Sequence, residues 1–370
     1  MIVGLFPELL GTGGIQRAGR HIAAVVAAFA RERNLGCELL SLGDPAGENQ
    51  LEVAGVTFTV TGFARSKRRF AAAAVRASRS GARLVIAAHP NLGPVVLAMK
   101  LVRRRLRSII CMHGVESWER LPRLRRFALR HADLILAPSR ETAERAARAQ
   151  KLPVLKIRRL PWALDPAFAE RAGLPVPPAP PAGYPGGRSI LAVGRWDSSE
   201  RYKGMDYLIA ALPRLLTDNS DIQLVAVGEG NDRGWLENLA EEHGVSLHVH
   251  FLTALTQEEL SGCYAACDVF ALPSRGEGFG LVYIEAMAHG KPVIAGAHGG
   301  APEIVEDGAT GYLVPHGDVP QLASALATLL ADAELRKKMG ARGRVRVERE
   351  YQFAQFAKSL KRILKEQCVS

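Results

Sequence analysis

Short apolar runs alternate along the chain with longer segments in which apolar residues recur every three or four positions. The short runs, rich in Val, Ile and Leu, predict β-strands, and the longer segments predict amphipathic helices. Apolar strands that are separated by helices are typical of parallel sheets covered on both faces. The predicted strands are IVGLF, CELLSL, VTFTV, RLVIAA, SIICMH, DLILAP and VLKIRRL in the first half, and SILAVG, IQLVAV, LHVHFL, DVFALP, PVIA and GYLV in the second.

The stretch GLPVPPAPPAGYPGG separates the two series of strands. Its six prolines and four glycines cannot continue a helix or a central strand, and 370 residues are enough for two cores. We therefore predict an α/β domain at residues 1–172, a linker at 173–187, a second α/β domain at 188–350 and an amphipathic helix at 351–370. Both domains are predicted to be doubly wound, and ligands of such folds bind at the carboxyl ends of the strands.

The net positive charge of the chain resides in its first half. Residues 1–171 contain 29 Lys and Arg against 13 Asp and Glu, whereas the remainder contains 19 against 24. Arginines interleave with Leu and Phe in RRRLR (103–107) and RLPRLRR (120–126), and RSKRR (65–69) adds to the charge. This pattern suits an anionic lipid surface or a phosphorylated acceptor, with a solvated basic face as the alternative. No aromatic stripe or known motif accompanies it, so nucleic acid is not an expected partner.

The expected location is cytoplasmic, with peripheral binding to the inner face of the membrane through the basic half. No apolar segment is long enough to span a bilayer, and the first strand begins at residue 2 without a basic leader before it. The five cysteines are too few and too scattered for a disulfide framework. Cys263 and Cys267 are expected to pack in a core rather than to bind a metal.

SRGEGFGLVYIEAM, residues 274–287, places a glycine-rich loop between the strand DVFALP and a helix. Such a loop and helix N-terminus offer unpaired N–H groups to a phosphate. Glu285 is the only charge in LVYIEAMA, so we expect it to accept from hydroxyls such as those of a ribose, with a solvated helix face as the weaker alternative. Glu277 is expected to accept from hydroxyls of a second sugar. The backbone positions expected to bind the donor are Gly278, Phe279, Gly280 and Leu281.

The spacing of Glu277 and Glu285, E-x7-E within SRGEGFGLVYIEAMAHGKPVIAGAHGGAPEIVEDGATGYLVPHGD, resembles the nucleotide-binding signature of the family 4 retaining glycosyltransferases. The likeness covers most of residues 189–318. It continues more sparsely through GTGGIQRAGRHIA, CMHGVE, APSRETAERA and PWALDPAF. The resemblance implies the GT-B fold, in which two Rossmann-like domains face a central cleft and the last helix often crosses back to the first domain.

The implied activity is retaining transfer of a sugar from a UDP- or GDP-sugar to an acceptor hydroxyl. The acceptor would be a glycan or a lipid-linked molecule of cell-envelope glycolipid, lipopolysaccharide or exopolysaccharide synthesis. Arg195 follows the strand SILAVG, and Lys203 lies in a basic loop before a helix, so both can neutralise a leaving diphosphate. The resemblance assigns them the role that a metal has elsewhere. No Asp-x-Asp motif occurs, and we expect neither a metal nor a cofactor. The expected catalytic residues are Arg195, Lys203, Glu277 and His113.

The other positions carried over from the family are less distinctive. Gly13 and Gly14 precede a helix, and in the family this loop contacts the donor phosphate. His113 resembles the histidine that faces the donor sugar, although a core role is about equally expected for a histidine at a strand end. Base recognition is expected near Leu252 and Thr253. Because Thr253 stands where glycine is common, the choice between uridine and guanosine stays open.

The sequence leaves two alternative functions open. A nucleotide-sugar epimerase of the same fold would bind the same donor and release an isomer without an acceptor. A noncatalytic polyanion-binding protein would use the basic half alone, and its binding to nucleic acid would depend steeply on salt.

Overall fold

The computed structural model describes residues 1–217 and 219–369. The strands are β1 Ile2–Phe6, β2 Cys37–Ser41, β3 Gly47–Val53, β4 Val56–Gly62, β5 Leu84–Ala87, β6 Arg107–Cys111, β7 Leu134–Ala137, β8 Ile157–Arg159, β9 Arg188–Val193, β10 Ile222–Val227, β11 Val249–Leu252, β12 Val269–Leu272, β13 Val293–Gly296 and β14 Gly311–Val314. The helices are α1 Gly14–Glu32, α2 Lys67–Arg79, α3 Gly93–Val102, α4 Arg123–His131, α5 Arg140–Gln150, α6 Pro166–Ala172, α7 Met205–Leu216, α8 Arg233–Glu242, α9 Gln257–Ala266, α10 Leu281–Ala288, α11 Ala301–Ile304, α12 Val319–Ala331, α13 Ala333–Glu350 and α14 Phe353–Val369.

The chain forms two compact units. The N-terminal unit contains residues 1–166 together with the residues from Phe353 onward, and the C-terminal unit contains residues 167–352. Each unit has its own sheet and its own core of buried Leu, Ile, Val and Ala side chains. The prediction of two doubly wound α/β domains is confirmed.

The N-terminal unit is built on a sheet with the strand order β3-β4-β2-β1-β5-β6-β7-β8. All its neighbouring strands run parallel except β3 and β4, which form an antiparallel pair. Strands β1, β5 and β7 are buried along their whole length, because helices cover both faces of a parallel sheet. The strand order reverses between β1 and β5, so the carboxyl ends of these two strands flank the expected ligand position of this unit.

The predicted strands are present, but β3 was not predicted. Its sequence, GENQLEV, alternates exposed and partly buried residues and has one fully buried position, Val53. Such an edge strand carries too few apolar residues to stand out in a sequence. It pairs with β4 through a tight turn in which Ala54 and Gly55 both have positive φ, +51° and +74°.

The C-terminal unit is built on a fully parallel sheet with the order β11-β10-β9-β12-β13-β14. The chain winds outward from β9 in one direction and from β12 in the other. The strand order therefore reverses between β9 and β12, and the loops after these two strands flank the switch point where ligands of open α/β sheets bind.

The sequence predicted that the proline-rich segment, residues 173–187, separates the two units. The structure places the boundary elsewhere. The boundary follows Pro166, so α6 and residues 173–187 belong to the C-terminal unit. Phe168 of α6 is fully buried, and its ring packs 5.5 Å from Tyr264. A Cβ on Gly262 of α9 would lie 2.1 Å from the carbonyl oxygen of Ala179. The segment therefore packs against α9, and the glycine permits this close approach.

Helix α14 belongs to the N-terminal unit, where it packs on α1. Phe356, Leu360 and Ile363 are buried at helical spacing, which is the apolar stripe that the sequence indicates. The ring of the buried His21 in α1 lies 5.3 Å from the ring of Phe353. Within residues 1–217 and 219–369, no helix is long and apolar enough to cross a membrane.

Candidate functional site

The loops after β9 and β12 bring together the residues that were predicted to bind a nucleotide donor. Arg195 follows β9, and Lys203 closes a short 3-10 segment, Ser198–Lys203, that leads into α7. Glu277 lies in the loop after β12, and Glu285 lies on α10, which follows that loop. Because β9 and β12 are neighbours in the sheet, all four residues belong to elements at the switch point.

Arg195 and Lys203 share one partner, which is Glu200. The Lys203 Nζ lies 2.7 Å from the Glu200 Oε2, and the Arg195 guanidinium donates to the Glu200 Oε1. The side chains of Lys203 and Glu200 are only 15% and 12% exposed, whereas that of Arg195 is 74% exposed. The two predicted cations therefore converge on one carboxylate. The sequence analysis missed Glu200, because a glutamate in a basic loop resembles an ordinary solvated residue.

Two hydrogen bonds hold the backbone of the glycine loop, one from within the loop and one from the segment between β13 and α11. The buried Ser274 accepts from the Gly276 N–H at 3.1 Å, and the Gly300 N–H donates to the Glu277 carbonyl at 2.6 Å. Gly280 precedes α10 with a φ of +106°, a conformation that L side chains rarely adopt. The loop therefore enters the helix at a fixed angle.

The side chains of the predicted phosphate loop contribute little to its exposed surface. Phe279 is 5% exposed, and its ring packs 5.8 Å from that of Tyr351. Gly278 and Gly280 have no side chains, and Leu281 is the first residue of α10. What these positions offer a ligand is chiefly backbone N–H groups at a helix N-terminus, which suits an anion.

Glu277 carries a perturbed carboxyl group. Burial raises its pKa above the ordinary value, the charge of Lys203 lowers it, and the charge of Glu200 raises it again. The net direction is upward, so the protonated form of Glu277 is favoured more than that of an exposed glutamate. A carboxyl group in this state can donate to a sugar oxygen as well as accept from a hydroxyl.

Glu285 is 2% exposed and already has a partner within the protein. The Tyr264 hydroxyl of α9 donates to the Glu285 Oε2 at 2.9 Å. The sequence raises the question of what compensates a lone buried carboxylate, and this tyrosine is part of the answer. The sequence analysis missed Tyr264, which lies 21 residues away and is fully buried like any core aromatic residue. The expected contact of Glu285 with a ribose stays a prediction.

Leu252, the last residue of β11, and Thr253, which follows it, are predicted to recognise the base and lie at the same edge of the sheet. The Leu252 carbonyl accepts from the Gly228 N–H at 3.0 Å, and Thr253 is exposed. The positive φ of this turn, +54°, belongs to the next residue, Ala254. The Ala254 N–H donates to the Glu229 carboxylate at 3.2 Å. A carboxylate thus fixes the turn that follows the predicted base-binding residues.

In the N-terminal unit, the loop with Gly13 and Gly14 follows β1 at the switch point. Gly13 is the N-cap of α1, and Gly14 is its first residue. Two side chains that the sequence analysis missed hold this loop. Asp44 is 1% exposed and accepts from the Leu9 N–H at 3.0 Å, and the Arg20 guanidinium donates to the Leu9 carbonyl at 2.6 Å. The loop conformation is therefore fixed by a buried carboxylate on one side and a cation on the other.

His113 follows β6 and donates from Nε2 to the Ala88 carbonyl at 2.6 Å. Burial lowers its pKa, although Glu116 and the Ala88 hydrogen bond oppose this shift. Because Nε2 carries the proton of the neutral ring, Nδ1 is the acceptor. His89, which follows β5, stacks on His113 at 5.7 Å between ring centroids. Burial and the charge of His113 lower the pKa of His89 to about 3, so both rings are neutral at pH 7.

The described residues contain no group of three or more His, Cys, Asp or Glu side chains that could hold a metal ion. A surface pocket lined by residues that include Thr310, Arg342 and Arg346 lies near the amino end of β14. That position is at the opposite edge of the sheet from the predicted site, and none of the predicted site residues lines the pocket.

Two family models match this chain in succession. The model described as Glycosyltransferase Family 4 matches residues 18–168, and the model described as Glycosyl transferases group 1 matches residues 184–346. Together they cover most of both units.

Curated relatives are similar over parts of the chain. A GDP-mannose-dependent alpha-(1-6)-phosphatidylinositol monomannoside mannosyltransferase of Mycolicibacterium smegmatis is 37% identical over 276 residues, which are 68% of this chain and 67% of the relative. A GDP-mannose-dependent monoacylated alpha-(1-6)-phosphatidylinositol monomannoside mannosyltransferase of Corynebacterium glutamicum is 43% identical over 169 residues. That second match spans 44% of each chain, so it covers less than half of the relative's length.

Solved structures are similar over nearly the whole chain. Sucrose-phosphate synthase from Thermosynechococcus elongatus has a TM-score of 0.76 at 24% identity and covers 99% of this chain and 98% of its own. A lipopolysaccharide outer core galactosyltransferase has a TM-score of 0.70 at 17% identity, with coverages of 99% and 100%. At these identities the likeness concerns the fold, which is the GT-B fold that the sequence resemblance implies.

Proposed function

The chain belongs to the family 4 retaining glycosyltransferases, and from that premise we propose that it transfers mannose from GDP-mannose to a hydroxyl of an inositol-containing or mannose-containing phospholipid. The family supports a hexosyltransferase acting on a nucleoside diphosphate sugar. The narrower choice of donor and acceptor is supported by the printed activities of the mycobacterial and corynebacterial relatives.

The observation that carries the proposal is the convergence of Arg195 and Lys203 at the switch point of the C-terminal sheet. Breaking the bond between the sugar and the diphosphate leaves negative charge on the departing phosphate. Two cations and the backbone N–H groups at the start of α10 would stabilise that charge as it develops. In this proposal no metal is needed at the leaving group, since the side chains supply the positive charge.

Retention of configuration is proposed to follow from a front-face displacement. The leaving diphosphate accepts the proton of the acceptor hydroxyl while Arg195 and Lys203 hold it. Glu277 and Glu285 are not nucleophiles in this scheme. Glu285 accepts from hydroxyls of the ribose, and Glu277 exchanges hydrogen bonds with the transferred sugar. The raised pKa of Glu277 supports a role in which its carboxyl group also donates.

His113 is proposed to accept a hydrogen bond from a sugar hydroxyl through Nδ1. Its Nε2 proton is already directed at the Ala88 carbonyl, so the other ring nitrogen has the lone pair that a hydroxyl donor needs. The N–H groups near Gly13 and Gly14, at the N-terminus of α1, are proposed to contact the donor phosphate.

An anionic membrane surface is the proposed location of the acceptor. Helices α3 and α4 pack on each other in the N-terminal unit, and each leaves large apolar side chains exposed. Leu101 is 82% exposed, Leu124 is 57% exposed and Phe127 is 52% exposed. Arg104 and Arg123 on the same segments are also exposed. Exposed apolar groups beside cations are what a peripheral contact with anionic lipid requires.

Calorimetric titration of the whole chain with GDP and with UDP tests the donor. We expect GDP to bind more tightly than UDP. The test of acceptor and sugar is incubation with GDP-mannose and vesicles that contain phosphatidylinositol or its monomannoside, with mass spectrometry of the lipid as the measurement. We expect a lipid heavier by one hexose, and none with UDP-glucose.

Three outcomes would contradict the proposal. Tighter binding of UDP would remove the argument for GDP-mannose. An isomerised donor without any glycosylated lipid would indicate an epimerase. Flotation of the protein with vesicles tests the membrane surface. Equal flotation with anionic and with neutral vesicles would remove the argument for a charged membrane surface, while leaving the proposed transferase activity in place.

A further inference from the structure

Glu200 binds the two cations that are proposed to hold the donor diphosphate. Its two carboxylate oxygens take one cation each, since Oε1 accepts from Arg195 and Oε2 lies 2.7 Å from the Lys203 Nζ. A diphosphate held by the same two side chains would need the same donors. The carboxylate therefore already satisfies, within the protein, the two cations that the ligand requires.

Glu200 offsets one of the two positive charges of this cluster, since Arg195 and Lys203 are its cations and Glu200 is the carboxylate that they share. With Glu200 in place, an entering diphosphate meets less net positive charge and a nearby like charge. Juxtaposed like charges in a partly desolvated site are strongly unfavourable, and the side chain of Glu200 is only 12% exposed.

Contacts on both sides of Glu200 hold the 3-10 segment in place. Asp197 caps the segment by accepting from the Ser199 N–H at 2.9 Å. On the other side, Arg201 pairs with Asp232 at 2.6 Å and lies 3.8 Å from the centroid of the Trp235 ring. The neighbours of Glu200 therefore have partners of their own that do not involve its carboxylate.

We propose that Glu200 competes with the donor diphosphate for Arg195 and Lys203, so that donor binding requires the carboxylate to leave the two cations. This inference rests on the proposed donor site. In the unliganded protein, Glu200 keeps the two long cationic side chains ordered. On binding, the diphosphate takes over both cations, and the displaced carboxylate reduces the affinity for the nucleotide.

The opposite interpretation, that Glu200 only positions Lys203 for the ligand, predicts the opposite sign. The test is Glu200→Gln, which keeps the size of the side chain and removes its charge. If Glu200 competes, the variant binds GDP about tenfold more tightly, the order of effect of removing one close like charge. If it only positions, the variant binds GDP more weakly. Calorimetry of the full chain with GDP and UDP measures this directly.

A second measurement separates competition from a structural role. Without nucleotide, Glu200→Gln loses two ion pairs and is expected to melt at a lower temperature than the wild-type protein. The same variant is expected to gain affinity for GDP. If Glu200 merely supported the fold, Glu200→Gln would lower both the melting temperature and the affinity for GDP. If Glu200 competes, the variant has a lower melting temperature but a higher affinity for GDP.

Controls locate the effect at the diphosphate. Glu237→Gln removes an exposed carboxylate of α8 that pairs with Arg233, and it should leave GDP binding unchanged. Glu200→Asp retains the charge and should stay closer to wild type than Glu200→Gln. Guanosine, which lacks phosphates, should bind both Glu200 variants and the wild-type protein equally. Tighter binding of guanosine to Glu200→Gln than to the wild-type protein would contradict competition for the diphosphate.

The remaining outcomes are also decisive. Weaker or unchanged GDP binding by Glu200→Gln would overturn this inference while leaving the transferase proposal intact, provided that wild type binds GDP or UDP. If neither nucleotide bound wild type or any variant, the proposed donor site itself would fail, and the inference with it.

Discussion

The two units place different chemistry at the carboxyl ends of their strands. In the C-terminal unit, the carboxyl ends of β9 and β12 present charged side chains, with Arg195 and Lys203 around Glu200. In the N-terminal unit, the segments after β5 and β6 present His89 and His113, whose pKa values burial has lowered so that both are uncharged at pH 7. Similar topologies therefore present ionised side chains after β9 and β12 in one unit and neutral imidazoles after β5 and β6 in the other.

The difference corresponds to what each edge is proposed to recognise. Charge that develops on a leaving phosphate is stabilised best by cations already in place. A sugar hydroxyl that donates to a histidine, in contrast, needs a lone pair on the ring, and an imidazolium has none. Lowering the pKa of His113 by burial preserves that lone pair. Burial keeps the imidazoles neutral in the N-terminal unit, whereas a shared carboxylate, Glu200, holds the two cations in the C-terminal unit.

The largest expected effect is that of Lys203→Ala. Removing a preorganised positive group from a developing charge typically lowers the rate by about 10² to 10³, and we expect a loss of that order in kcat/KM for mannosyl transfer. The measurement is transfer from GDP-mannose to lipid. Lys337→Ala, an exposed lysine paired with Glu334 on α13, is the matched control and should retain full activity. A loss below tenfold for Lys203→Ala would break the comparison, because the charged edge would then not carry the chemistry.

The second effect concerns pH and the neutral edge. The pKa of His89 is about 3 in the folded protein against 6.5 ordinarily, so the unfolded chain binds more protons between these values and stability falls as pH falls below about 6.5. From pH 7 to pH 5 this single group should cost about 2 kcal/mol of stability. His89→Asn, whose side chain takes up no proton, should show a smaller loss in urea unfolding.

The exposed His131 of α4 provides the control for that measurement. His131→Asn makes the same substitution at an exposed position of the same unit, and its loss of stability between pH 7 and pH 5 is the reference for that of His89→Asn. If wild type and His89→Asn lost stability equally between pH 7 and pH 5, His89 would not be held neutral, and the contrast between the two edges would be weaker.

The third effect is that of Tyr264→Phe in the C-terminal unit. The buried Glu285 loses the donor that lies 2.9 Å from its Oε2, and we expect a stability loss of about 1 kcal/mol or more, since an acceptor deprived of a partner is costly when buried. Urea unfolding measures it, with the partly buried Tyr312→Phe as control. A neutral result would mean that other contacts or water satisfy Glu285. The Glu285 carboxylate would then depend less on Tyr264 and be more available to a ribose.

The smallest effect is expected for Glu32→Gln, which removes the ion pair between α1 and Lys361 of α14. Both side chains are partly exposed, so we expect a change of about 0.5 kcal/mol or less in thermal unfolding. Leu360→Ala, which empties a fully buried position of the same helix, is the comparison and should cost about 2–5 kcal/mol. Equal effects would indicate that α14 is held by charge rather than by its apolar stripe.

The sequence predicted the fold well because its parallel strands are buried on both faces and so appear as continuous apolar runs. Strand β3 escaped prediction because its polar, partly exposed residues lack that signal. The predicted boundary at residues 173–187 was displaced for a related reason. Proline and glycine indicate where a helix or strand cannot continue, but they do not indicate where a segment packs, and Ala179 packs against Gly262 of α9.

The sequence identified candidate site residues that stand at fixed positions in a motif. It did not identify residues whose role depends on a contact in the folded protein. Arg195, Lys203, Glu277 and Glu285 were identifiable because they stand at fixed positions next to strands and glycine loops. Glu200, Tyr264 and Asp44 were not, because their importance lies in partners that are distant in sequence or that require the fold to be known. Asp44 binds the N–H groups of Leu9 and Leu10, about 35 residues earlier in the chain.

The return of α14 to the N-terminal unit has a consequence for synthesis. Translation proceeds from the amino terminus at about 5–20 residues per second, and α14 follows the whole of the C-terminal unit in the chain. The face of α1 that α14 covers would stay uncovered while about 190 further residues emerge from the ribosome. The nascent N-terminal unit therefore lacks its last helix for about half of translation.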